Sequence, residues 1–310
     1  MDEIQAKTEE PMPAVEAAPA AARPPVSRAF VWAVCGILFA AFLGVDYATP
    51  QVFDTELAES FFAVCLGLCI SQINLIAVWA ALAPGNIVLR LSWSSLLTLM
   101  MWYTLLAGSM GTTGQFPLVS NLCDALVLGG ILLAGVLILQ VPLWAAKKWF
   151  RWRLSRGAED AGQFALEDRQ FNLQHLLLAI LLWAIALSPL RAVLPPGPAV
   201  PFHVDGGLLV LTVAMILSNV LITIPCIWWA FQPAARLWGL TVGWLFYAVV
   251  LTVVEVAILS AISGTPANRI GEVIGTFLIV NVTQCLTVFG VLRIFRAMGY
   301  RMVRFAPAKR

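Results

Sequence analysis

Long apolar stretches without a single charged residue dominate the chain. Examples of 20 residues or more without Asp, Glu, Lys or Arg are 61–89, 91–123, 206–235 and 273–292. A helix that crosses about 30 Å of hydrocarbon needs roughly 20 apolar residues. The pattern therefore predicts an all-α, polytopic transmembrane helical bundle.

The apolar stretches and the polar breaks between them predict eight membrane-spanning helices. The predicted spans are about 29–46, 61–82, 92–110, 122–145, 173–193, 206–230, 237–262 and 271–292. Pro84 and Pro233 each follow a predicted span, where a proline suits a helix end.

The breaks also divide the chain into five parts. Residues 1–27 are rich in Pro and Ala and lack the apolar residues needed to fold, which predicts a disordered tail. Two groups of four helices follow, at 28–146 and 173–296. A basic, amphipathic linker at 147–172 joins them, and a basic tail at 297–310 ends the chain.

The two groups of four helices share a sequence motif. Trp79-x-Ala81-x-x-Pro84 recurs 149 residues later as Trp228-x-Ala230-x-x-Pro233. This recurrence predicts a 4+4 parallel internal repeat, with its pseudo-axis along the membrane normal. The alternative is a chance match between apolar helices.

The charges are few, and their positions predict an orientation. Residues are 60% hydrophobic and 12% charged, whereas soluble domains have about 25% charged residues. Of 19 Lys and Arg residues, 17 fall on one side of the predicted spans, and only Arg191 and Arg269 on the other. The positive-inside rule then places both termini in the cytoplasm. The first outer loop is acidic instead, with Asp46, Asp54, Glu56 and Glu59.

Glu255 is the acidic residue that lies well inside a predicted span. It is about seven residues from the outer end, or roughly 10 Å deep at 1.5 Å per residue. A carboxylate there is costly unless it is protonated or faces a polar interior. Three interpretations stay open: a proton or cation site, a protonated side chain bonded to a neighbouring helix, or one that reaches a water-filled vestibule.

Neutral polar residues near mid-depth complete the candidate polar or transport site. They are Ser71, Gln72 and Asn74 on the second span, Ser218 and Asn219 on the sixth, and Asn281 and Gln284 on the eighth. Such residues either bond one helix to another or line a polar path.

A run of basic and aromatic residues follows the fourth span. Its cations are Lys147, Lys148, Arg151, Arg153 and Arg156. Basic residues beside a span attract anionic lipid headgroups, by about 1 kcal/mol each. The predicted partners are membrane lipids rather than nucleic acid, and helix packing also permits a homo- or hetero-oligomer.

Catalytic and cofactor motifs are absent from the sequence. The two histidines, His175 and His203, have no second histidine at ligand spacing, and neither a P-loop nor a nucleophile elbow occurs. We therefore expect no enzymatic activity, no cofactor and no metal site.

The entry to the fifth span carries one resemblance. Phe171-x-Leu173-x-x-Leu176-Leu177 resembles the entry motif of uncharacterised multi-pass membrane proteins of planctomycete bacteria. There a Ser stands at the position of Asn172. The resemblance covers about residues 163–190, and it implies a bacterial inner membrane and no known activity.

Two function hypotheses follow from these features. The first is a membrane scaffold or accessory protein, held together by helix packing. The second is a small-solute or ion transporter, in which Glu255 and the mid-depth residues face a shared path. The first predicts that Glu255 and Asn281 are paired and buried, and the second that they meet a water-filled cavity.

Overall fold

The computed structural model describes most of the predicted helices. The described residues are 27–52, 58–83, 87–113, 122–150, 152–155, 206–232, 237–263 and 269–304. Within them 93% of the residues are helical, which confirms the prediction of a helical protein. The predicted fifth span at 173–193 lies outside the described residues.

Seven helices and two short strands make up the described residues. The helices are α1 (Arg28–Val52), α2 (Ala58–Leu82), α3 (Ile87–Thr113), α4 (Leu122–Phe150), α5 (Gly206–Ala230), α6 (Leu237–Ser263) and α7 (Ile270–Ala297). The strands are β1 (Trp152–Ser155) and β2 (Arg301–Arg304). Each helix covers one predicted span, and most extend a few residues beyond it.

Two of these extensions correct the sequence analysis. The first span was predicted to end at residue 46, but α1 continues to Val52, so Asp46 lies inside a helix and not in a loop. Arg90, expected between spans, lies in the first turn of α3. Both side chains are buried. Polar groups of neighbouring elements form hydrogen bonds with them.

Three of the described helices are long and apolar enough to cross a membrane. They are Ala29–Val52, Glu59–Leu82 and Ile270–Ala297. Two shorter apolar stretches accompany them, at Leu217–Ala230 and Phe246–Ala261. Length and composition thus support membrane association.

The outward faces of the helices carry large apolar side chains. Trp32 is 74% exposed, Phe246 71% and Ile37 70%. Contiguous exposed apolar surface is rare on soluble monomers and marks a surface that contacts lipid or protein. Together with the apolar helix lengths, this surface suits a lipid environment.

α2 and α7 form the centre of the bundle. α2 packs against α1, α3, α4 and α7, and α7 also packs against α5 and α6. The main apolar cluster joins α2, α4, α5, α6 and α7, for example through Leu82, Leu139, Ile227, Leu251 and Val288.

Two glycines allow unusually close helix contacts. A Cβ added at Gly67 of α2 would lie 2.7 Å from the Val280 carbonyl oxygen and 2.9 Å from Thr283 Cβ on α7. A Cβ at Gly108 of α3 would collide with the Tyr47 carbonyl of α1. The backbones of α2 and α7, and those of α1 and α3, can therefore come this close only because glycine has no side chain at the contact.

β1 and β2 form a two-stranded antiparallel sheet that the sequence analysis does not predict. Trp152 pairs with Arg304, and Ser155 with Arg301. Gly299, at φ 98°, turns the chain from α7 into β2, with the Tyr300 amide bonded to the Phe295 carbonyl (3.1 Å). This is a Schellman-type helix end. We call the end of the bundle that carries this sheet the strand end.

Four described elements in the second half of the chain begin at a nearly constant distance in sequence from four elements in the first half. α5, α6, α7 and β2 begin at 206, 237, 270 and 301, which is 148 to 150 residues after α2, α3, α4 and β1 begin at 58, 87, 122 and 152. The strand pairing is symmetric under the same shift, since residues 152 and 155 correspond to 301 and 304.

We predict that Gly67→Ala destabilises the bundle while Gly290→Ala does not. The added methyl at Gly67 forces α2 and α7 apart, and overpacking of this kind costs about 1–3 kcal/mol. Gly290 has open space around it, so alanine there should be neutral or slightly stabilising. Thermal unfolding of both variants in detergent measures the difference, and equal melting temperatures would contradict the close contact.

Candidate functional site

Polar side chains from five helices meet at one buried level of the bundle. We call this set the polar layer: Asp46 and Thr49 of α1; Cys69, Ser71, Gln72 and Asn74 of α2; Ser218 and Asn219 of α5; Thr252 and Glu255 of α6; and Asn281 and Gln284 of α7. On each helix these residues lie within six positions, or about 8 Å of rise. All are buried except Asn219, which is half-buried.

The α1 side of the polar layer is built around Asp46. The Gln72 side-chain amide donates to Asp46 Oδ1 at 2.6 Å, and the Cys69 thiol donates to the same oxygen at 3.3 Å. Thr49 donates to the Val45 carbonyl of its own helix (2.7 Å) and lies 3.5 Å from Cys69 Sγ. These bonds hold α1 against α2.

The centre of the polar layer joins α2, α5 and α7. Asn219 Oδ1 accepts from Gln284 Nε2 at 2.7 Å and from Asn74 Nδ2 at 3.4 Å. The Ser71 hydroxyl lies 2.6 Å from the Gly67 carbonyl and 3.3 Å from the Gln284 carbonyl. One amide oxygen of α5 thus connects the two central helices.

The α6 side of the polar layer is built around Glu255. Asn281 Nδ2 donates to Glu255 Oε2 at 2.6 Å and to Thr252 Oγ1 at 3.0 Å. The Ser218 hydroxyl of α5 faces the same carboxyl group. Glu255 is 9% exposed, so its charge or proton sits among protein groups.

The three parts of the polar layer are continuous along the helices. Ser71 and Gln72 are neighbours on α2, and Asn281 and Gln284 are one turn apart on α7. The hydrogen bonds therefore run from helix to helix across the bundle, at one level. Hydrogen bonds that run across the bundle suit a role in joining helices better than a path for ions or solutes along the helix axes.

All eight predicted polar residues fall in the polar layer, but not as one cluster. Asn74, Asn219, Gln284 and Ser71 meet at the centre. Gln72 instead bonds to Asp46, which the sequence analysis had assigned to a loop. The usable signal was the spacing of Asp46 and Thr49, three residues apart on one helical face.

The basic cluster after the fourth span is described only in part. Lys147 Nζ lies 5.4 Å from the Trp144 ring centroid, within cation–π range, and Lys148 is exposed. The predicted headgroup residues Arg151 and Arg156, and the side chain of Arg153, lie outside the described residues.

Arginine side chains bind the carbonyl groups that end α2 and α5. Arg90 Nη1 donates to the carbonyls of Ala81 (3.4 Å) and Ala83. The last carbonyls of a helix have no partner in their own helix, and a cation there also favours the helix dipole.

The corresponding carbonyls at the end of α5 are bound from α7. Arg293 Nη1 donates to Ala230 and Gln232, each at 3.2 Å, and Arg296 donates to the same two carbonyls. These contacts fix the strand end of α5 to α7.

A cavity of about 260 Å³ opens at the strand end. Its lining residues are Trp152, Trp228, Phe231, Gln232 and Met302. They come from β1, the end of α5 and β2, so this cavity is separate from the carboxyl groups of the polar layer. Among the described residues, no three His, Cys, Asp or Glu side chains group as a metal site.

Comparison with known proteins identifies no relative. No protein-family model, no curated protein and no solved structure matches the chain. The segment that carries the planctomycete resemblance, about residues 163–190, lies outside the described residues.

We predict that Asn219→Leu destabilises the bundle more than Thr276→Val. Leucine is close in size to asparagine but leaves Gln284 and Asn74 without their acceptor, and a buried unpaired donor costs about 1–3 kcal/mol. Thr276 donates to the Glu272 carbonyl of its own helix, so its loss should cost little. Unfolding in detergent compares the two, and equal stabilities would contradict a joining role for Asn219.

Proposed function

We propose that this chain is a non-enzymatic scaffold or accessory protein of the bacterial inner membrane. The supporting observation is that most side chains of the polar layer form hydrogen bonds from one helix to another. Glu255 and Asn281, which a transport path would expose, are buried and bonded to each other at 2.6 Å. The described cavity lies at the strand end and not beside them.

In this proposal the chain spans the membrane eight times, as two halves of four helices. The described helices supply seven of these spans, and residues 173–193 supply the eighth. The duplication is supported by the spacing of about 149 residues between corresponding elements and by the symmetric pairing of β1 with β2. The carbonyl groups that arginines bind also correspond, since Ala81 and Ala83 match Ala230 and Gln232, although the arginines come from α3 in one case and α7 in the other.

The proposed orientation puts both termini and the strand end in the cytoplasm. The basis is the distribution of Lys and Arg, with 17 of 19 on that side of the spans. The exposed Lys148 and Trp149 at the end of α4 would then contact anionic headgroups at the interface.

We predict that a membrane-impermeant maleimide applied outside spheroplasts labels Thr265→Cys but not Gly157→Cys. The first position lies between α6 and α7, and the second lies in the linker. Both variants also carry Cys35→Ala and Cys123→Ala, because Cys35 is half-buried and Cys123 lies at the predicted outer end of α4. The remaining native thiols, Cys65, Cys69, Cys226 and Cys285, are buried and should give little background. Labelling of Gly157→Cys without permeabilisation would overturn the orientation.

Transport of a small solute or ion is the second candidate function. It is favoured by one observation: Asp46 and Glu255 are carboxyl groups buried in apolar helices, and no described Lys or Arg bonds to either. Ionisable groups inside a membrane domain commonly mark ion or proton pathways.

Flux measurements distinguish the two functions. In proteoliposomes that contain the full chain, the scaffold proposal predicts no flux of H⁺, Na⁺, K⁺ or Cl⁻ above that of protein-free vesicles. A flux that Glu255→Gln abolishes would instead establish the transporter. Glu272→Gln is the matched control, because Glu272 is exposed at the start of α7.

A further inference from the structure

Asp46 is a carboxyl group enclosed on all sides by protein. Its side chain is 0% exposed, and it lies in α1 where α2 and α3 pack against that helix. Gln72 and Cys69 both donate to Oδ1, whereas Oδ2 receives no hydrogen bond from the described residues. The two oxygens of this carboxyl group therefore have different surroundings.

The neighbour of the carboxyl group on α3 does not supply a hydrogen bond to Oδ2. The Thr104 hydroxyl faces Asp46, but its oxygen lies 2.8 Å from the Met100 carbonyl and 2.9 Å from the Met101 carbonyl. A hydroxyl has one proton, so donation to either carbonyl leaves lone pairs directed elsewhere. Oδ2 of an ionised Asp46 would therefore have no donor from α3.

No cation compensates Asp46 among the described residues. The titratable groups that face it are thiols of α2, with Cys69 in contact and Cys65 one turn further along. From α1 and α3, the described neighbours are apolar or hydroxyl groups. Arg90 is engaged at the far end of α2, where it binds Ala81 and Ala83. An ionised carboxylate without a partner is strongly disfavoured in such surroundings.

We infer that Asp46 is a proton-binding site inside the bundle, with the proton on Oδ2, the oxygen that receives no hydrogen bond from the described residues. The α6 side of the polar layer has the same design. There Asn281 donates to one oxygen of Glu255, and the Ser218 hydroxyl faces the carboxyl group. The two carboxyl–amide pairs, each 2.6 Å long, lie on opposite sides of the central amides. This site goes beyond the scaffold proposal and does not depend on it.

Infrared spectroscopy of the full-length protein in lipid nanodiscs tests the site directly. Exposed carboxyl groups, with pKa values near 4, are ionised at about pH 7, so a carbonyl stretch of neutral carboxylic acid there reports buried protonated groups. We expect such a band in the wild type. Asp46→Asn should remove one component, about half of the band if Glu255 supplies the other.

Two controls make the result decisive. Glu272→Gln, at an exposed position, should leave the band unchanged, and so should Thr104→Val, because no described hydrogen bond joins Thr104 to Oδ2. If Asp46→Asn fails to fold, Glu255→Gln decides, because the component that remains without Glu255 belongs to Asp46 and complete loss of the band overturns the proposal. Absence of the neutral-carboxyl band at about pH 7 overturns the proposal, as does a band that Asp46→Asn leaves intact.

Discussion

A polar group buried among apolar helices must find its partner within the protein, and this constraint organises the centre of the bundle. In hydrocarbon there is no water to replace a missing hydrogen bond. The chain places twelve polar side chains at one level, where α1, α2, α5, α6 and α7 can satisfy one another. Each amide that bonds a carboxyl group comes from a different helix than the carboxyl group, so every such bond also joins two helices.

The polar layer does not follow the proposed duplication, and this difference is informative. Under the 149-residue shift, Glu255, Asn281 and Gln284 correspond to Leu106, Leu132 and Gly135. What does follow the shift is the spacing of the elements, the pairing of β1 with β2 and the helix-end carbonyls that arginines bind. Within the proposed duplication, the two carboxyl–amide pairs, Asp46 with Gln72 and Glu255 with Asn281, are therefore not counterparts of each other.

The sequence predicts the positions of the apolar helices. It does not predict the contacts between segments that are distant in the chain. Apolar length alone locates the described helices, because a bilayer tolerates few alternatives. The partner of Gln72 could not be predicted, since Asp46 precedes Tyr47, Thr49 and Pro50 and looks like the start of a loop. β1 and β2 are only four residues each and lie far apart in the chain, so neither carries a local hairpin signal.

A double-mutant cycle on the Asp46–Gln72 pair tests most directly whether the polar layer holds the bundle together. Asp46→Leu and Gln72→Leu each leave one buried polar partner unpaired, whereas the double variant leaves neither, so their effects should not add. Unfolding in detergent should give a coupling free energy of about 1 kcal/mol. The double variant should lose less free energy of unfolding than the two single variants lose together. Strict additivity would contradict the account.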